Sequence, residues 1–146
     1  METSRLLVMF LVEDDLGDQK LIKSALADQD TPVDLHIAGS AEEALEHLQS
    51  IGSGEADSPQ PQLIFLDLNM PGMGGKEFLK WIKSNEKFKN IPVVVLTTSD
   101  SEADIIECYK LHAAGYIQKP ASVQELKTIM KQTIKYWSTS YCPVKS

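Results

Sequence analysis

Short apolar runs alternate with amphipathic stretches five times along the chain. Leu6–Val12 is continuously apolar and rich in β-formers, the pattern of a strand buried on both faces. Behind it, Leu16, Leu21, Ile22, Ala25 and Leu26 recur near one helical face, which predicts a helix over Leu16–Ala27. Val33–Ile37 alternates apolar and polar positions and reads as a strand nearer an edge. Ser40 and Glu43 have capping-box spacing ahead of Ala44, Leu45 and Leu48, so a second helix starts there. Leu63–Leu66 is the third strand, and its helix runs from about Gly75 to Ser84 with Phe78, Leu79 and Ile82 inward. Val93–Leu96 is the fourth strand. The helix behind it spans about Ser101 to Ala113, with Ser99 and Glu102 at capping-box spacing. A short fifth strand, Tyr116–Gln118, ends at Lys119 and Pro120. Ser122 and Glu125 then open a last helix carrying Val123, Leu126, Ile129, Met130 and Ile134.

A βα unit repeated in this way predicts an α/β fold: a five-stranded, doubly wound parallel sheet with helices on both faces. The 146 residues are expected to form a single domain, residues 1–146, with a core over about 6–137. Residues 49–62, rich in Gly, Ser and Pro, are expected to be a mobile loop insertion. Residues 138–146 are expected to be a C-terminal tail, too short for a DNA-binding domain.

Composition narrows the class. With 14 basic and 21 acidic side chains the formal charge is −7, which argues against a nucleic-acid partner. No apolar run approaches the ~20 residues of a membrane span, so no membrane association is expected. Two cysteines, Cys108 and Cys142, make no disulfide framework, and the reducing cytoplasm is the expected location.

In a parallel sheet of this kind a ligand sits beyond the carboxyl ends of the strands, where the strand order reverses. The residues that arrive there are Glu13, Asp14 and Asp15 after the first strand and Asp67 and Asn69 after the third. Thr97, Thr98 and Ser99 follow the fourth, and Lys119 follows the fifth. Helix N-capping explains one of Asp14 and Asp15. It does not explain Glu13, Asp14, Asp67, Thr97 and Lys119 on one rim. Clustered carboxylates repel unless a cation intervenes, and all-oxygen donors with room for water suit Mg²⁺, with Mn²⁺ as the alternative ion. A Lys and a Thr beside one Asp add a place for a phosphoryl group.

The segments 11–15 (LVEDD), 66–72 (LDLNMPG), 95–99 (VLTTS) and 116–120 (YIQKP) resemble, in order and spacing, the four signatures of the response-regulator receiver domain. The match covers roughly Leu6 to Tyr136. The resemblance implies a flavodoxin-like fold and phosphorylation of Asp67 by a sensor histidine kinase. It implies Mg²⁺ held by Glu13, Asp14, Asp67 and the backbone carbonyl of Asn69. Lys119 would neutralise the acyl phosphate, Thr97 would hydrogen-bond it, and Tyr116 would be the switch aromatic that turns inward with Thr97. The Lys119–Pro120 bond would be cis. The protein would be a phosphoacceptor and not an enzyme on external substrates, its only reactions being Mg²⁺-assisted self-phosphorylation and self-dephosphorylation.

The segment around 111–120, the loop before the third strand and Tyr136-Trp137 also resemble the single-domain regulators of cyanobacterial phytochromes. That subfamily implies a phytochrome-type kinase and a homodimer through the last helix, last strand and C-terminal tail. Kinase choice would be read on Leu16–Ala27 and around Ala121. Alternatives on the same rim are a phosphorelay intermediate and a metal-dependent aspartyl phosphatase. The latter wants Asp-x-Asp where this chain has Asp67-Leu-Asn69, and a cap that it lacks. The glycines at 72, 74 and 75 miss the phosphate-loop spacing and read as a tight turn. His36, His47 and His112 show no metal-ligand spacing, and Cys108 reads as a small core hydrophobe.

Overall fold

The computed structural model describes residues 6–139. Five βα units follow one another: β1 (Leu7–Val12), α1 (Leu16–Ala27), β2 (Val33–Ala38), α2 (Ala41–Ser53), β3 (Leu63–Leu66), α3 (Gly75–Lys83), β4 (Val93–Thr97), α4 (Glu102–Lys110), β5 (Gly115–Gln118) and α5 (Val123–Thr139). The strands form one parallel sheet in the order β2-β1-β3-β4-β5. β1, β3 and β4 are interior and wholly buried, whereas β2 lies at an edge, as its alternation implies. The sheet separates two cores. One packs α2, α3 and α4 through Leu48, Phe78, Ile82 and Cys108; the other packs α1 and α5 through Ile22, Leu26, Met130 and Ile134. No helix of the described residues is long and apolar enough to cross a membrane.

Helix starts follow local chemistry. Ser40 accepts from the Glu43 amide and Ser122 from the Glu125 amide, the expected caps. For α4 the expected cap is displaced: Ser101 accepts from the Asp104 amide, while Ser99 donates its hydroxyl to the Asp104 carboxylate at 2.6 Å. The same helix also stops three residues before Ala113, at Lys110. His112 adopts a left-handed φ of 71°; its amide donates to Tyr109 and that of Ala113 to Cys108. This is a Schellman ending, and it gives His112 a backbone role. Cys108 is fully buried, as expected.

Four further expectations are corrected. Residues 49–53 belong to α2, which ends where left-handed Gly54 donates its amide to Ile51. At the far end of the 49–62 segment Val8 donates to the Gln62 side chain and Gln60 donates to Lys87 O. Ser138 and Thr139 belong to α5, their hydroxyls bonding back to Lys135; the rest of the tail, including Cys142, lies outside the described residues. Leu16 and Leu21 point outward, 69% and 40% exposed, because only Ile22, Ala25 and Leu26 of α1 meet the sheet. No described peptide bond is cis, so Lys119–Pro120 is trans.

Candidate functional site

Strand order reverses between β1 and β3, and the residues leaving these two strands meet at that point. The amide of Glu13 extends the β1–β2 ladder to Ala38 O, and that of Asp67 extends the β3–β1 ladder to Val12 O. Both carboxylates therefore project from continuous backbone pairing, not from loose loops. Glu13, Asp67 and Thr97 are the buried polar side chains of the described core.

Glu13, Asp14 and Asp67 each offer a carboxylate oxygen within 4.8 Å of the others. Burial, reinforced by the charge of Asp67 and opposed by Lys119, pushes the Glu13 carboxyl up to about 7. Two acids this close in a shielded place call for a cation, and a hard divalent ion fits a set of oxygen donors. The donor set thus fits the metal implied by the sequence motifs. The amide of Asn69 lies 3.4 Å from Asp67 Oδ1, so the turn after β3 folds back over the acid.

Lys119 reaches into the cluster from the end of β5, where its amide continues the ladder to Thr97 O at 2.7 Å. Its ammonium lies 2.6 Å from Glu13 Oε1, 2.7 Å from Asp18 Oδ2 and 3.6 Å from Asp67 Oδ2. Burial alone would pull its pKa down, but the bonds from Asp18 and Glu13 and the charge of Asp67 outweigh it, and the net direction is upward. Lys119 is a fixed cation.

Thr97 is fully buried and loosely held. Its Oγ1 lies 3.5 Å from both Asn69 Nδ2 and the Ser99 amide, at the long limit for a hydrogen bond. Tyr116 is half-buried and already turned toward the same loop, its hydroxyl donating to Ser99 O at 3.0 Å. From there contacts run outward: Ser99 to Asp104, and Asp104 with Glu107 to the Lys76 ammonium on α3.

All the residues singled out from the sequence therefore converge: Glu13, Asp14, Asp67, Asn69, Thr97 and Lys119 on the rim, with Tyr116 one loop away. Sequence reasoning missed three supports. Asp18 binds Lys119. Gln19 donates to Glu13 O at 2.6 Å. Glu42 accepts from the Met73 amide at 2.9 Å, clipping the turn after Asp67 to α2. The signal for Asp18 and Gln19 was present in spacing: with Asp15 as N-cap, they occupy the first turn of α1, which faces back over the strand ends. Glu42 had no such signal, since its partner is a backbone amide distant in sequence.

Residues 9–131 match the model of the response regulator receiver domain. The response regulator Rcp1 of Synechocystis sp. is 39% identical over 130 residues, covering 89% of this chain and 88% of that protein. The crystal structure of the phosphorylated cyanobacterial phytochrome response regulator RcpA superposes with a TM-score of 0.87 at 41% identity, over 95% of this chain and 99% of that one. The Mn²⁺-bound form of Rcp1 superposes with a TM-score of 0.84 at 38% identity, over 94% and 99% of the two chains. The chain belongs to the response regulator receiver domain family of two-component signalling and is related within it to the phytochrome response regulators.

Proposed function

We propose that this protein is a phosphoacceptor: Asp67 takes a phosphoryl group from the phosphohistidine of a sensor histidine kinase, and the phosphorylated form signals by binding. The observation that carries the reading is the meeting of a buried Asp67 with two further acids and with a Lys119 ammonium 3.6 Å away. Glu13, Asp14, Asp67 and the Asn69 carbonyl would hold Mg²⁺, which when bound screens the acids and the phosphoryl oxygens from one another. A carboxylate oxygen of Asp67 forms the new P–O bond while the P–N bond to the donor imidazole breaks. The imidazole leaves with that electron pair and takes a proton. Lys119 offsets the charge gained at the phosphoryl oxygens.

Thr97 supplies the switch. Its present contacts are long, so a phosphoryl oxygen offers its hydroxyl a stronger partner. Moving Thr97 draws the loop through Ser99, and the Tyr116 hydroxyl bonds that loop. Phosphorylation thus favours the conformer in which this contact is tightest, and it reshapes the face formed by α4 and β5. The same chemistry run with water releases the phosphate, the only turnover the site needs.

A phytochrome-type kinase is the proposed donor, supported by the relationship to Rcp1 and RcpA. Exposed Leu21 and Val123 line a pocket with Ala121 beside Lys119 and form an apolar face where the donor domain would dock. A homodimer through α5 and β5 is supported by a cleft between them that runs from Val94 and Ile117 to Tyr136 and Trp137. The test is incubation with acetyl phosphate and Mg²⁺ followed by intact-mass measurement. One added phosphoryl group is expected, and none in Asp67→Ala; equal labelling of the two would overturn the reading.

A further inference from the structure

Asp18 belongs neither to the acids that converge on the metal position nor to the strand ends. It sits in the first turn of α1, where its amide donates to the Asp15 cap at 2.8 Å. Its carboxylate meets the Lys119 ammonium at 2.7 Å, almost a full ångström closer than the Asp67 oxygen at 3.6 Å. A lysine ammonium has three protons to donate. Here Glu13 and Asp18 take the two short bonds, and the phosphoacceptor receives the long contact. The Lys119 side chain is 12% exposed and that of Asp18 35%, so the pair spans the boundary between the shielded site and solvent.

We infer that Asp18 is a positioning residue that latches Lys119 toward α1 and so competes with the phosphoryl group for the same ammonium. Phosphoryl oxygens on Asp67 can recruit Lys119 fully only as it loosens its hold on Asp18. Asp18 therefore lowers the affinity of the site for a phosphoryl-like anion, and its position on the first turn of α1, beside exposed Leu21, places the latch on the surface a docking partner would cover. The inference rests on the reading of Asp67 as phosphoacceptor.

The experiment is titration of the full-length protein with beryllofluoride at saturating Mg²⁺, by calorimetry, for the wild type, Asp18→Asn, Asp18→Glu and Asp67→Ala. A parallel Mg²⁺ titration and the ¹⁵N shift of the Lys119 ammonium accompany it. Asp18→Asn keeps the size and the helix position of the side chain but removes the charge. Expected is binding about fivefold tighter than wild type in Asp18→Asn, in line with the modest worth of a partly exposed ion pair. Asp18→Glu should return toward the wild-type affinity, Mg²⁺ affinity should stay unchanged, and the Lys119 resonance should shift in Asp18→Asn before any anion is added. Equal or weaker anion binding in Asp18→Asn overturns the latch. So does a loss of Mg²⁺ affinity, which would make Asp18 a metal ligand. If the wild type binds beryllofluoride and Asp67→Ala does not, only the latch is at stake; if the wild type fails to bind it, the phosphoacceptor reading falls and the latch falls with it.

Discussion

The hydroxyl of Tyr116 donates to the backbone carbonyl of Ser99 at 3.0 Å, joining the edge strand β5 to the loop that leaves Thr97. The Ser99 side chain in turn donates to Asp104, and Asp104 holds Lys76 on α3. A displacement of Thr97 toward Asp67 therefore acts on a loop that is already engaged on its far side. Burial pushes the Tyr116 phenol above its ordinary value, so it remains a donor throughout the neutral range.

Removing that donor should uncouple the site from the α4–β5 face without harming the chemistry. Tyr116→Phe keeps the ring and deletes one hydrogen bond, a loss of about 1 kcal/mol. Phosphorylation of Asp67 by acetyl phosphate should proceed at the wild-type rate. The chemical-shift changes that phosphorylation induces in α4 and β5 should shrink. Full-sized changes in the variant would show that the hydroxyl carries none of the signal.

Gly75 opens α3 directly beneath the acid. A Cβ on it would run into the Asp67 carbonyl oxygen and lie 2.7 Å from Leu68 Cα, both backbone atoms with no freedom to retreat. Gly75→Ala should therefore destabilise the fold by about 2 kcal/mol, within the usual range for overpacking. It should also slow phosphoryl uptake at temperatures where the protein remains folded, because the atoms displaced are those that carry Asp67. A thermal melt together with a labelling time course checks both, and a variant as stable as wild type would refute the close packing.

Element types and the rim were legible in the chain because each rests on local chemistry. Continuous apolar runs give buried parallel strands, and whatever follows such a strand must arrive at the sheet edge. Glu13, Asp67, Thr97 and Lys119 could be brought together from that rule alone. The misreadings share a different cause. Leu16 and Leu21 fit a helical stripe, yet whether the stripe is buried depends on how far α5 reaches over α1, a tertiary matter. The end of α4 turned on His112 accepting a left-handed conformation, which its side chain does not announce. Residues 49–53 looked like a loop by composition, but Gly52 lies against Phe88 and its carbonyl accepts from Lys87, and α2 continues through a Gly that costs about 1 kcal/mol in a helix. Glu42 was invisible as a site support because its partner, the Met73 amide, is adjacent only in space, whereas Asp18 was marked by its place in the first turn of α1 but not by its partner Lys119.

The end of α5 bears on assembly. Tyr136 is 61% exposed and meets Trp137 edge-on with ring centroids 4.9 Å apart, while Trp137 packs back on the α1–α5 core. Tyr136 is thus the aromatic free to contact a second copy. Sedimentation at micromolar concentration should show a dimer for the wild type, and Tyr136→Ala should shift it toward monomer with little change in melting temperature. A monomer in the wild type, with and without phosphorylation, removes the proposed dimer.

His47 gives a pH dependence separate from the cluster around Asp67. Its ring stacks on His36 at 6.1 Å with a 26° tilt and approaches Phe10 at 5.2 Å, and Asp34 Oδ2 lies 3.2 Å from His36 Nε2. Burial and the neighbouring His36 hold the His47 pKa below its ordinary 6.5, and the charge of Glu43 offsets only part of this. The unfolded chain then binds this proton at higher pH than the native protein does. Stability from His47 is fully present above about 6.5 and falls as pH drops toward the native pKa. His47→Gln removes the titration while keeping a polar side chain of similar reach. Urea melts across pH 5 to 8 should show the wild type losing stability on acidification more steeply than His47→Gln, with the two curves parallel above about pH 7. Parallel curves over the whole range would mean that His47 is as readily protonated in the native protein as in the unfolded chain.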